Sequence, residues 1–151
     1  AGLQQELVDW ERQPLSRLAL ILVLDQFPRH IYRGQRRAFA GDHRAATLAV
    51  EGVSRQMHSK LPLCAQVFFL MPLMHAEDED LQDLCLTSMT ALLERSPDFC
   101  RQSIQDSVNA ARQHRELIRR FGRFPHRNTA LERESTPEER VYLEKSGRFG
   151  Q

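Results

Sequence analysis

Three short strings hold the side chains best suited to chemistry. They are Leu24-Asp-Gln-Phe-Pro-Arg-His-Ile-Tyr-Arg-Gly34, Met74-His-Ala-Glu-Asp-Glu-Asp80 and Arg119-Arg-Phe-Gly-Arg-Phe-Pro-His-Arg-Asn128. Imidazoles at His75 and His126 titrate near neutral pH and suit proton transfer. Carboxylates at Asp25, Glu77 and Asp78 could orient them. The guanidiniums of Arg29, Arg33, Arg123 and Arg127, with the Asn128 amide, form the kind of fork that grips a carboxylate or phosphate.

Each feature also has a plainer reading. Asp25 closes a run that is otherwise apolar, so its carboxylate is expected to be buried and in need of a partner, with Arg29 and Arg33 at hand. Glu79 and Asp80 suit the first turn of a helix, where negative charge is favoured, which leaves His75, Glu77 and Asp78 as the candidates of that string. Arg119 and Arg120 suit the negative end of a helix. Arg123, His126, Arg127 and Asn128 lie past Gly122 and are not explained that way. His114 falls on an apolar stripe and reads as a hydrogen-bonded core histidine.

The elements that must position these residues are helical. Clean two-residue alternation is missing, and apolar residues recur at helical spacing throughout. A first helix through Leu3, Leu7 and Trp10 is expected to stop before Pro14. The next, about Leu15 to Gln26, is apolar almost all round and reads as a buried central helix that Pro28 ends or bends at Phe27. Asp42 reads as the N-cap of a helix carrying Ala46, Ala49, Val50, Val53 and Met57. Leu63 to Met74 contains Pro72, a kink or stop. Leu81, Leu84, Cys85, Met89 and Leu92 make a further stripe. Ser96-Pro97 reads as cap and first position of a long helix that ends near Gly122. Thr136-Pro-Glu-Glu139 is a capping box. Helices joined by short loops pack most simply as antiparallel hairpins.

Composition limits the functions. With 151 residues the chain fits one domain over 1–151, burying about two-thirds of its unfolded surface. Basic and acidic residues number 21 and 20, a balance that disfavours dedicated nucleic-acid binding. The run Arg33-Gly-Gln-Arg-Arg37 is too short to change that. Three cysteines without a Cys-x-x-Cys pair suggest neither a disulfide framework nor a zinc site, and so a reducing, cytoplasmic setting. No apolar run is long enough to span a bilayer.

Taken together, the three strings resemble an uncharacterised, mainly bacterial family, domain of unknown function 924. The segments that carry the likeness are Leu24–Arg29 with Ile31–Gly34, then Met71–His75 with Glu77 and Asp78, then Arg120–Asn128 with Arg133 and Ser135–Glu139. The resemblance implies a tetratricopeptide-like helical array and no established activity. It also implies an aromatic-rich helical stretch ahead of the residues where this chain begins, without which part of a groove would stand open. His30 and Glu132 depart from the family's usual asparagine and glycine and are not expected in a site.

Three functions follow as expectations. The first is a site for a small anionic ligand built from Arg29, Arg33, Arg123, His126, Arg127 and Asn128, against a structural network in which Asp25, Glu77 and Asp78 neutralise the arginines. The second is an enzyme using His75 or His126 as acid–base with Asp25, Glu77 or Asp78 as orienting carboxylate. The third is a protein-interaction module with the polar cluster purely structural. No phosphate-cradling loop, nucleophile elbow or His-Glu-x-x-His is present, and no cofactor is called for. A mononuclear metal on His75, Glu77 or Asp78 and His126 is a minor alternative.

Overall fold

The computed structural model describes residues 7–146, which contain helices and turns and no strand. The α-helices are α1 (Pro14–Ile21), α2 (Phe27–Ile31), α3 (Asp42–Ser54), α4 (Leu63–Met74), α5 (Glu79–Glu94), α6 (Asp98–Phe121) and α7 (Pro137–Ser146). Short 3-10 turns lie at Val8–Glu11, Arg36–Phe39, His58–Lys60 and Pro125–Arg127. Leu3 of the expected first helix lies outside the described residues, and Trp10 belongs to the first 3-10 turn.

Leu20, Ile21 and Leu24 from the first helical run meet Leu48 and Ala49 of α3, Phe69, Leu70 and Leu73 of α4, Met89 of α5 and Val108 of α6 in one core. Side chains of this size contribute roughly 1.5–3 kcal/mol each on burial. Short links make α4, α5 and α6 successive antiparallel neighbours. The pairs Asp83–Arg115 and Glu79–Arg119 tie α5 to α6 along their flank. Arg119 and Arg120 thus do more than complement a helix end, since Arg120 also pairs with Glu138 of α7.

Proline governs the first run in an unexpected way. Pro28 does not end the helix at Phe27. A π-helical turn, Leu22–Gln26, links α1 to α2, and the Phe27 N–H reaches Leu22 O. Pro28 has no N–H to offer Leu24 O, so the ladder shifts register instead of closing. Leu24 O faces Gly41: a Cβ there would lie 2.2 Å from that oxygen. Gly41→Ala is therefore expected to lower stability by about 1–3 kcal/mol, as a backbone clash cannot be relieved by a rotamer change. A shifted urea midpoint would check this; an unchanged midpoint would show that the 41–42 turn can move away.

Other boundaries differ from expectation too. The first run is not buried on every face, because Leu15, Val23, Phe27 and Ile31 are exposed. Gly41, not Asp42, caps α3, and the Asp42 carboxylate turns inward. Pro72 sits in the last turn of α4, which ends at Met74. Pro97 takes the cap position of α6, while Ser96 Oγ donates to Leu92 O. Cys64 is exposed and Cys85 buried, with burial pushing the Cys85 thiol up to about 12. Gly122 ends α6 as expected, at φ +70°. The capping box also forms: Glu139 N–H donates to Thr136 Oγ1 at 3.2 Å and Thr136 N–H to Glu139 Oε2 at 2.8 Å.

Candidate functional site

Asp25 is set by the π turn and is 1% exposed. Its Oδ1 accepts from His75 Nδ1 at 2.7 Å and from Arg29 Nη2 at 3.2 Å; its Oδ2 accepts from Gln26 Nε2 at 2.6 Å. Burial alone would raise its pKa, but His75, Arg29 and Gln26 together hold the carboxyl well below the usual range. His75 ends α4, and burial lowers its pKa despite the neighbouring carboxylate. The imidazole is thus neutral at pH 7, with the Nδ1 proton held by Asp25.

Arg29 continues the chain of contacts to Asp42 Oδ1 at 2.7 Å, and Asp42 Oδ2 accepts from Arg127 Nη1 at 3.1 Å. Burial raises the Asp42 pKa against the pull of both guanidiniums. Arg127 also donates to His75 O at 2.8 Å. Its guanidinium lies 4.7 Å from the Phe39 ring centre and 4.6 Å from that of Phe124, a cation between two π faces. Burial, with Arg29 close by, brings its pKa down to about 10, still fully charged at neutral pH.

A second network fixes the turn after α6. Glu77 accepts from Arg133 Nη1 at 2.6 Å and Nη2 at 2.9 Å, and from the Phe124 N–H at 2.8 Å. Arg133 also donates to Phe124 O and to Asn128 Oδ1. Asn128 donates to Ser135 Oγ and Glu139 Oε2. Arg123 grips Glu139 through Nε at 2.7 Å and Nη2 at 2.9 Å. The Arg123 guanidinium, with the Thr136 N–H and Asn128, brings the Glu139 carboxyl down to about 2.

The residues singled out in the sequence therefore divide. Asp25, Arg29, His75 and Arg127 share one network; Glu77, Arg123 and Asn128 share the other. Arg33 is exposed and joins neither. Asp78 caps α5, its Oδ1 accepting from the Leu81 N–H at 3.0 Å. His126 packs on Phe124, ring centres 5.5 Å apart, and lines a separate pocket of about 480 Å³ with Arg140 and Glu144. Burial, with Arg127 and His114 nearby, brings its pKa down to about 4. The expected meeting of Asp25, His75, Arg123 and His126 around one cavity does not occur. His114 is a hydrogen-bonded interior histidine as read, bonding Ala110 O at 2.8 Å and meeting the Phe124 ring edge-on. Among the described residues no group of three His, Cys, Asp or Glu side chains could hold a metal ion.

Two participants in the first network, and one buried arginine away from both networks, escaped the sequence reading. Asp42 bridges Arg29 and Arg127 although it looked like a cap. Phe39 stacks on Arg127. Arg17, an interruption in an apolar run, is 1% exposed and donates to Glu11 O and Leu48 O.

A cleft of about 510 Å³ opens on the first network. Phe39, Ala46, Ala76, Leu81 and Leu131 give it apolar walls, and Asp42, His43, His75, Glu77, Asp78 and Arg127 give it polar ones. No protein hydrogen bond reaches His75 Nε2 among the described residues, while Nδ1 is held by Asp25.

A family model described as "Bacterial protein of unknown function (DUF924)" matches residues 1–147. The chain belongs to this family. The DUF924 assignment bears out the resemblance carried by the three strings. A solved structure titled "Structure of Protein of Unknown Function ATU0120 from Agrobacterium tumefaciens" is similar at 38% identity and TM-score 0.82, covering 95% of this chain and 75% of that one. Among curated proteins nothing matches.

The buried histidines of this DUF924 chain are expected to make it acid-sensitive. His75, His114 and His126 all have pKa values below 6.5 in the fold, each mainly through burial. Between 6.5 and those lowered values the unfolded chain binds more protons, so stability rises with pH there and falls on acidification. Asp25, Glu77 and Glu139, all lowered, add stability that is present above the ordinary carboxylate range and lost below it. Asp42, raised, works the other way, its contribution being lost as pH rises. The melting temperature is expected to fall steadily from pH 6.5 to 4; a flat profile would show that the histidines are not held neutral.

Proposed function

We propose that the cleft takes a small polar molecule and that His75 moves a proton to or from it. One observation carries this reading: a cleft-lining histidine whose Nδ1 is 2.7 Å from a buried carboxylate and whose Nε2 has no protein hydrogen bond among the described residues. A carboxylate at Nδ1 fixes the tautomer in which Nε2 is the basic atom, and it stabilises the imidazolium formed when Nε2 takes a proton. Arg29 secures Asp25 from the other side. No Ser, Thr, Cys, Tyr or Lys lines the cleft, so the chemistry supported is proton transfer to or from the ligand or a water, with no covalent intermediate on such a side chain.

The anionic-ligand reading loses its main support, because three of the four arginines that suggested it are matched by carboxylates and the fourth, Arg33, is exposed and joins neither network. Arg29 pairs with Asp25 and Asp42, Arg127 with Asp42, Arg133 with Glu77 and Arg123 with Glu139. The structural-network reading gains by the same pairing and coexists with an acid–base role for His75.

The test is untargeted turnover. Wild-type protein and His75→Asn, whose amide nitrogen stands about where Nδ1 stood, are incubated with a bacterial metabolite extract followed by mass spectrometry. At least one small metabolite should be consumed by the wild type and spared by an equally folded variant. If the wild type leaves the pool unchanged, or the variant matches it, the acid–base reading is wrong.

A further inference from the structure

From the charge on the cleft wall we infer that its ligand is a cation, a small molecule bearing a primary amine or guanidinium. The inference rests on the reading of the cleft as a small-molecule site and deepens it. Asp42, Glu77 and Asp78 line the cleft against a single guanidinium, Arg127. With His75 neutral, the carboxylates and the guanidinium of that wall sum to three negative charges and one positive, and His43 lines it as well. Counting the groups directly behind it, Asp25, Arg29 and Arg133, gives four carboxylates against three guanidiniums. The excess stays negative, and a cleft between low-dielectric walls focuses such a field.

The hydrogen-bonding positions agree with the charge. Arg127 is engaged through both Nη atoms and packs against Phe39 and Phe124, and its Nε, though without a partner among the described residues, is buried, so it offers an anion in the cleft little. His75 Nε2, in the tautomer that Asp25 imposes, is an acceptor. At the mouth, Asp78 Oδ1 caps α5, while no protein donor reaches its Oδ2 among the described residues. An N–H donor bridging Asp78 and His75 would satisfy both, with its carbon skeleton against Ala46 and Leu81. A proton delivered by an ammonium to His75 Nε2 leaves a neutral amine and an imidazolium paired with Asp25, so charge is conserved.

The experiment uses 1,4-diaminobutane and agmatine as cationic probes, succinate as an anionic one of similar length, and the side-chain ¹⁵N signals of His75 as reporter. Asp78→Asn is the variant, since asparagine caps a helix about as well as aspartate and stability should hold. Millimolar diamine or agmatine should move the Nε2 signal, added salt should weaken the effect, and Asp78→Asn should bind roughly threefold to fivefold more weakly, as for loss of one exposed charge contact. Succinate should leave the signal in place. A shift with succinate instead, no shift with either cation, or unchanged affinity in Asp78→Asn would overturn the inference. Cation binding together with no His75-dependent turnover would keep the ligand class and sink only the acid–base reading.

Discussion

Arg127→Leu is expected to destabilise the protein by about 3–5 kcal/mol, the range for removing one partner of a buried ion pair. Arg127 is 5% exposed and joins four elements: Asp42 at the start of α3, the His75 carbonyl at the end of α4, Phe39 before α3 and Phe124 after α6. Leucine fills part of the volume between the rings but leaves Asp42 with Arg29 alone and the His75 carbonyl without its donor. Arg127→Lys separates charge from shape. A lysine keeps the cation and loses the planar fork and the stacked faces. It should recover less than half of the lost stability. Urea denaturation of the three proteins reads this directly, and a loss under 1 kcal/mol for leucine would mean that the network holds little of the fold together.

The second large effect is expected at Asp25. Asp25→Ala should cost about 3 kcal/mol, because His75 Nδ1, Arg29 and Gln26 lose a shared acceptor in a site that water does not reach. Asp25→Asn should cost clearly less, since its carbonyl can still accept from His75 and the Gln26 amide can turn to face the new N–H donor. Both variants should lower the His75 pKa further, as the carboxylate is the group that raises it against burial. A His75 pKa that rises in either variant would mean that Asp25 is not its ionised partner.

How much of this was legible depended on sequence distance. The Thr136–Glu139 box could be read because both of its bonds join residues three apart. Asp25 with Arg29 could be read because positions four apart meet on a helix. The helical fold followed from periodicity alone. Asp42 was opaque: its partners lie 13 and 85 residues away, and its local setting looked like a cap. The π turn was equally hidden, since a 3.6-residue pattern does not register one extra residue in the ladder, and Pro28 read more naturally as a stop. The Arg120–Asn128 string misled in a different way. Its contiguity suggested one site, yet the left-handed Gly122 and the tight turn Pro125–Arg127 send Arg123 to Glu139, Arg127 to Asp42 and His126 to another pocket. Arg123, Arg127 and Asn128 thus mainly anchor the turn, and the proposed proton transfer is assigned to His75 instead.

That last point can be measured without knowing any ligand. Nitrogen-15 NMR of the His75 ring at pH 7.5 distinguishes which nitrogen carries the proton. A neutral ring with the proton on Nδ1 and a bare, basic Nε2 is the expected result, since Asp25 accepts from Nδ1 at 2.7 Å and burial disfavours the charged form. A proton on Nε2 with Nδ1 bare, or a fully charged imidazolium at that pH, would contradict the role given to His75.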